Sequence, residues 1–332
     1  PPPPPPPSPP PPPPLLPISL GRCLPTDGRT CFPPRKRVCV MTDPEVTIEF
    51  VRELAQSASD MIGQQNEAST KQTNAKVKVS AADLVTETDV AVENLLKQTI
   101  HSRFPTHQFL CEESSDASAE LTDAPTWIID PVDGTTNFYH GVPYCCVSIA
   151  FARHKTVLFG CVQAPLLKEA WWAEKGGKAW HMDNSGNVKC ISTSTTTDLN
   201  KSLLSTGFLV ATVQRLNNPN LSVDDRQRIE HKRDLVIRQL QAFLPHVHDV
   251  RRLGACALDL CHVACGRMDC YFECGPKEWD LSAGVLIVYE AGGVCSNYAG
   301  APLSDKLDDC EIVACATPEL HDKVIALLKQ VE

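Results

Sequence analysis

Residues 127 to 141 read WIIDPVDGTTNFYHG and set two aspartates, Asp130 and Asp133, between an apolar run and a Gly-Thr-Thr turn. Two further acidic stretches end an apolar run or open a helix: Glu112-Glu113 after FLC, and Asp280 in KEWDLSAG. Strand ends and helix starts are where α/β folds expose working side chains. Any one of these acids alone reads as an N-cap or a surface charge. Asp130 resists that reading, because it follows Trp127, Ile128 and Ile129 and so emerges directly from a buried strand. Gathered carboxylates repel: two unit charges about 4 Å apart cost roughly 4 kcal/mol at an effective dielectric near 20. Hard divalent cations relieve that repulsion, and Mg²⁺ prefers oxygen ligands while keeping water and substrate phosphate in its shell. The acids therefore point to Mg²⁺ and a phosphorylated substrate. The following residues fit. Gly134 lets the backbone turn, and Thr135, Thr136 and Asn137 supply hydroxyl and amide donors where backbone N–H groups can face an anion.

Hydrophobic spacing predicts the elements that hold these groups. Ile48, Val51, Leu54, Ala55, Ala58 and Ile62 keep helical spacing from Pro44 to about Gln65, and Thr42-Asp43-Pro44 offers an N-cap followed by proline at the first helical position. A second helix runs from Val90 to about His101. Short strands follow: HQFLC ending at Cys111, TWIID ending at Asp130, Cys146 to Ala152, and Val157 to Val162. Further helices span Asp224 to about Phe243, Gly254 to Cys265, Leu281 to Glu290, and Pro318 to Lys329. Glu278, two residues before Asp280, reads as an exposed loop charge. With no regular βαβ period and no internal repeat, the pattern predicts a layered α/β sandwich with mixed sheets.

The 332 residues, 42% of them hydrophobic, suffice for one large unit or two packed subdomains with a sizeable core. Residues 1 to 14 are proline apart from Ser8, a composition that favours polyproline II and buries no core. Residues 1–40 are therefore expected to be a disordered extension, able to meet SH3 or WW domains, ahead of a working unit 41–332. No apolar run is long enough for a membrane helix and no secretory pattern opens the chain, so the expected location is the cytoplasm. A net charge of −9 argues against nucleic acid; PRKR at Pro34 to Arg37 reads as a solvated loop. The sixteen cysteines include no C-x-x-C pair, so they read as reduced, buried, apolar residues rather than zinc ligands.

At this point the sequence resembles the inositol monophosphatase family of lithium-sensitive, Mg²⁺-dependent sugar-phosphate phosphatases. WIIDPVDGTTNFYHG is similar to the first family signature, and WDLSAGVLIVYEAGG from Trp279 to Gly293 to the second. DLVTETD at Asp83 to Asp89 and CEES at Cys111 to Ser114 match two further elements. The resemblance covers about residues 44 to 330 and implies the αβαβα sandwich of the sugar phosphatases. It also implies roles. Glu112, Asp130, the Val132 carbonyl, Asp133 and Asp280 would hold two or three Mg²⁺ ions. Glu112, with Thr135 and Asp89 behind it, would position and polarise the attacking water. Asp133, Gly134, Thr135, Gly254, Ala255, Cys256 and Glu273 would contact substrate, Glu273 through sugar hydroxyls. The chain departs from the family pattern at Cys111, Ala255 and Cys256, which leaves sugar recognition open, and Ser205 to Val210 offers no clear counterpart of the family's substrate serine.

The resemblance implies hydrolysis of inositol monophosphate by direct in-line attack of water. The alternative nucleophile would be one of the cysteines. Alternatives on the same fold are phosphatases of fructose bisphosphate, histidinol phosphate or a nucleotide 3′-phosphate; from another class, a non-catalytic scaffold acting through the proline tail. Family members often dimerise, so a homodimer is carried over by analogy.

Overall fold

The structure, a computed structural model, describes residues 46–68, 76–77, 84–85, 87–116, 120–303 and 311–331. The proline-rich segment, PRKR, the Thr42-Asp43-Pro44 helix start and Asp83 lie outside the described residues.

Helix α1 (Ile48–Ala68) starts later than its sequence suggests. Thr47 is the capping residue, its Oγ1 accepting the Phe50 N–H at 3.3 Å. Val46 and Val51, both buried, occupy the flanking positions at which apolar residues fix a helix entry. Strands β1 (Lys76–Val77) and β2 (Leu84–Val85) form a small antiparallel pair, and α2 (Glu87–Arg103) follows.

Seven strands make the first sheet: β3 (Gln108–Cys111), β4 (Thr126–Asp133), β5 (Cys146–Arg153), β6 (Thr156–Ala164), β7 (Glu169–Glu174), β8 (Ala179–Met182) and β9 (Val188–Cys190). They lie in sequence order, with β3 parallel to β4 and every later pair antiparallel. The short helices α3 (Thr135–His140) and α4 (Val210–Gln214) sit in connections. The second sheet contains β10 (Leu203–Thr206), β11 (Asp249–Arg251), β12 (Cys270–Cys274), β13 (Val294–Ser296) and β14 (Glu311–Cys315) in the order β11-β10-β12-β14-β13. Strands β11, β10 and β12 are parallel, and β14 runs antiparallel to both its neighbours.

Helices α1 and α2 cover the outer face of the first sheet. Helices α6 (Cys256–Ala264) and α7 (Glu278–Glu290) fill the space between the sheets, and α8 (Pro318–Leu328), with α5 (Val223–Phe243) against it, covers the far face of the second. This is the expected αβαβα sandwich. Strand β4 is buried along its whole length because both faces are covered, so its Trp127-Ile128-Ile129 segment reads as an unbroken apolar run. On its outer face Trp127 meets Phe50 and Phe151, with ring centroids 5.9 and 5.0 Å away. No helix among the described residues is long and apolar enough to cross a membrane.

Several strands carry no adequate sequence signal. Strands β9, β11 and β13 have three residues each, too few to establish alternation. Helix α7 begins one turn before the expected Leu281, which corrects the reading of Glu278: the residue is buried, in the first turn of the helix, and not an exposed loop charge.

Helix α7 lies unusually close to β6. A Cβ on Gly160 would fall 3.0 Å from the Ala283 Cα and 3.1 Å from its carbonyl oxygen, so only glycine admits this approach without displacing the helix. Gly160→Ala should lower the unfolding free energy by about 1 to 3 kcal/mol, the scale of core overpacking. Chemical denaturation would check this, and an unchanged midpoint would show that α7 yields at no cost.

Candidate active site

Asp130 and Asp133 are three residues apart, and in a regular strand they would face opposite sides of the sheet. The pairing of β4 with β5 slips by one residue between them, from Asp130 opposite Ser148 to Asp133 opposite Cys146. That bulge brings both aspartates to one side. Asp280, in the first turn of α7, meets them there: ligand oxygens of Asp130, Asp133 and Asp280 all lie within 4.8 Å of one another. Glu112 reaches the cluster from the turn after β3, the parallel neighbour of β4.

Each aspartate is held by a backbone donor. The Val132 N–H donates to Asp130 Oδ1 at 2.9 Å, the Ala257 N–H at the start of α6 to Asp133 Oδ2 at 2.7 Å, and the Lys277 N–H to Asp280 Oδ2 at 2.7 Å. Burial, and then the charges of Glu112, Asp133 and Asp280, push the Asp130 carboxyl well above the usual range. Asp280 is raised by burial and then by Asp133 and Glu112. Asp133 rises to about 7 through burial, although the Ala257 N–H pulls it down. Without a cation these groups favour sharing protons; with one, all can ionise.

The Thr135 hydroxyl lies 3.1 Å from Asp89 Oδ1 and 3.0 Å from the Val132 carbonyl oxygen. It has one proton, so it serves one acceptor at a time and keeps lone pairs that can accept from a water. Asp89 is fully buried in α2. Gly134 adopts φ +86°, and a Cβ there would meet the Tyr144 carbonyl at 2.9 Å. The expectation for Asn137 needs correction. Its amide donates at 2.8 Å to both the Tyr144 and Leu253 carbonyls, so it fastens α3 to the loop before α6 and leaves no donor for an anion. Residue type alone could not show which way it turns.

A cleft of about 400 Å³ opens over these groups, lined by Glu112, Asp133, Gly134, Thr135 and Asp280. From the second sheet and the start of α6 come Gly254, Ala255, Cys256 and Glu273. Asp130, Val132 and Asp89 are buried behind it. Tyr271 donates to Glu273 Oε2 at 2.8 Å; burial raises that carboxyl, while this bond and the Arg252 charge pull it down. The structure thus brings Glu112, Asp133, Gly134, Thr135, Gly254, Ala255, Cys256, Glu273 and Asp280 to one cleft, with Asp89, Asp130 and Val132 beside it. It adds Arg252, whose signal was the dibasic pair before Leu253-Gly254, and Leu209, Val210 and Pro276, which carry no signal.

The profile of the Inositol monophosphatase family matches residues 43–332. Inositol monophosphatase 2 of Rattus norvegicus is 35% identical over 274 residues, covering 82% of this chain and 86% of that protein. Inositol monophosphatase 1 of Solanum lycopersicum is 38% identical over 250 residues, covering 74% and 83%. Among solved structures, a Thermotoga maritima IMPase superposes with a TM-score of 0.69 at 26% identity, covering 85% of this chain and 96% of that one. The extragenic suppressor protein suhB of Bartonella henselae gives 0.70 at 26% identity, covering 85% and 98%. With an all-oxygen acid cluster at the cleft and a family match across almost all described residues, this chain belongs to the inositol monophosphatase family of metal-dependent phosphoric monoester hydrolases.

Proposed function

We propose that the protein hydrolyses an inositol monophosphate to myo-inositol and inorganic phosphate, with Mg²⁺ as its metal. The observation that carries this reading is the convergence of three aspartate ligands within 4.8 Å, beside a Thr135–Asp89 pair and in one cleft with Glu273. The donor set suits the ion: oxygens only, buried or half-buried, with Asp130 and Asp280 raised in pKa by burial and then by the neighbouring carboxylates. Glu112, Asp130, the Val132 carbonyl, Asp133 and Asp280 would hold two or three ions. When bound, Mg²⁺ supplies a more acidic water and charge stabilisation at phosphate and leaving oxygen.

The chain's own groups do the rest. Thr135, its proton directed to Asp89, accepts a hydrogen bond from the attacking water, and Glu112 fixes that water's position. The Gly134 and Thr135 amides orient the phosphate. Ala255 and Cys256 flank the ring, and Glu273 accepts from its hydroxyls. The same reading keeps residues 1–40 outside the catalytic unit 41–332, in line with a family match that starts at residue 43. A homodimer, carried over from the family, and a cytoplasmic location, read from the sequence, complete it.

Asp130→Asn keeps side-chain volume and the bond from Val132 N–H while removing a charged ligand. It should abolish Mg²⁺-dependent phosphate release from inositol 1-phosphate and leave circular dichroism unchanged. Near-normal turnover would rule out the assigned metal site. Glu273→Gln should lower kcat/KM for inositol 1-phosphate by about 1.5 to 3 kcal/mol, the scale of a hydrogen bond to a charged group. An aryl phosphate, lacking those hydroxyls, should be cleaved almost as before, and equal losses on both substrates would refute sugar recognition by Glu273.

Stability should report the metal independently of turnover. Asp133 is raised to about 7, and Asp130 and Asp280 are raised too, so the folded chain binds more protons than the unfolded one above about pH 4. Stability of the metal-free protein is therefore present at low pH and lost as pH rises through about 7, by on the order of a few kcal/mol. The Tm of chelated protein should fall between pH 5 and pH 8, and the increment produced by Mg²⁺ should be larger at pH 8. A Tm indifferent to pH and Mg²⁺ would show that these acids do not form a cation site.

A further inference from the structure

Tyr144 is engaged at both ends. Its carbonyl accepts from Asn137 and lies 2.9 Å from where a Cβ on Gly134 would fall, so its main chain seats the Gly134-Thr135 turn. That turn also abuts the residue that precedes α6, since the same Cβ would fall 3.2 Å from the Ala255 Cβ. From this place the Tyr144 side chain reaches α6, and its hydroxyl donates to Asp259 Oδ1 at 2.8 Å, across 115 residues of chain. Asp259 is 1% exposed, lies in the first turn of α6 and takes no part in the reaction derived above. Two residues earlier in the helix, the Ala257 N–H holds Asp133. The end of β4 and the phosphate turn are thus tied to the start of α6 at Asp133–Ala257 and again at Tyr144–Asp259.

The donors behind this bond all point the same way. Arg267 Nη1 lies 3.4 Å from His262 Nε2, and a guanidinium can only donate, so Nε2 accepts. Burial, and then the Arg267 charge, lower the His262 pKa to about 4, so the ring is neutral and carries its one proton on Nδ1, 3.3 Å from the Tyr144 hydroxyl. The hydroxyl accepts there, and its own proton is committed to Asp259. Arg267 is fixed in turn by Glu169 at 2.7 Å, which also holds His181 Nε2 at 2.7 Å. Replacing Tyr144 and Asp259 together by apolar groups of the same shape would cost the fold little, whereas desolvating a carboxylate is unfavourable. What the pair provides beyond packing is a bond of defined length and direction between the first sheet and α6.

We propose that Tyr144 and Asp259 are positioning residues: their hydrogen bond sets the spacing between the phosphate turn and the start of α6, and so the placing of Asp133 for the metal. The inference rests on the reading of Asp133 as a metal ligand. Neither side chain lines the cleft, so the pair acts through Asp133 and the turn and not by touching substrate.

The test reads Mg²⁺ in two ways on the full chain: its dissociation constant by titration calorimetry without substrate, and the concentration giving half-maximal phosphate release from inositol 1-phosphate. The Tm of chelated protein is followed beside them. Tyr144→Phe removes the donor and keeps the ring and the main-chain carbonyl; it should raise both Mg²⁺ constants about fivefold, the scale of one hydrogen bond. Asp259→Leu should do the same, and the double variant should lose no more than either single one, because a single bond is removed in all three. Asp259→Asn, whose amide oxygen accepts from Tyr144, should stay within about twofold of wild type. Unchanged Mg²⁺ constants in Tyr144→Phe, whatever its Tm, would make the pair a packing contact. Additive losses would show two residues acting separately, and an Asp259→Asn loss equal to that of Asp259→Leu would assign the effect to charge; each overturns the proposal. Should Asp259→Leu not fold, Tyr144→Phe and Asp259→Asn decide, since both keep side-chain shape. A wild type that binds Mg²⁺ but releases no phosphate from inositol 1-phosphate would end the substrate reading and leave the calorimetric comparison to decide this one, whereas a wild type that binds no Mg²⁺ would end both.

Discussion

Asp130, Asp133 and Asp280 hold ligand oxygens within 4.8 Å of one another where water is largely excluded, and the repulsion among them is the constraint the remaining structure has to withstand. Side chains on mobile loops would move apart. Here each carboxylate is fixed by a backbone N–H, from Val132, Ala257 and Lys277, and those donors belong to the end of β4, the start of α6 and the start of α7. The same bonds orient the oxygens and offset part of the cost of burying them.

Holding those three element ends together is a matter of packing. The central helices α6 and α7 are clamped between two sheets, and glycine at position 160 allows α7 to approach β6 at backbone contact. Asn137 adds a polar clamp by bonding the Tyr144 carbonyl before β5 and the Leu253 carbonyl before α6. Site precision therefore derives from a dense apolar middle layer, which agrees with the view that functional groups are best carried on rigid elements.

The cysteines fit this picture as small apolar residues. All described cysteines are free thiols, and burial pushes those nearest the site, Cys146, Cys256 and Cys261, well above their ordinary range. A thiol held neutral is a poor nucleophile and a poor metal ligand. Cys270 and Cys315 approach to 3.3 Å between sulfurs on paired strands, and both are fully buried.

Much of this was legible in the sequence. The long helices α1, α2, α5 and α8 and the strands β3 to β6 announce themselves through apolar spacing, because each buries a continuous face. Asp130 stood out because a charge directly after the apolar Trp127-Ile128-Ile129 run has no packing role, and the signature around it made the cluster recognisable. Other features depended on tertiary contacts. Whether Asp130 and Asp133 share a side is set by a one-residue slip against β5, and no residue within WIIDPVDG encodes the partner's register. Asn137 and Glu278 were misread for the same reason. An amide serves anion or backbone equally well by type, and a glutamate near a helix start is buried or exposed according to which turn begins the helix. The two neighbouring arginines separate only in three dimensions, since Asp249 reaches one and leaves the other facing the cleft. Sequence periodicity reports which faces are buried, whereas the direction of a polar group depends on partners distant in the chain.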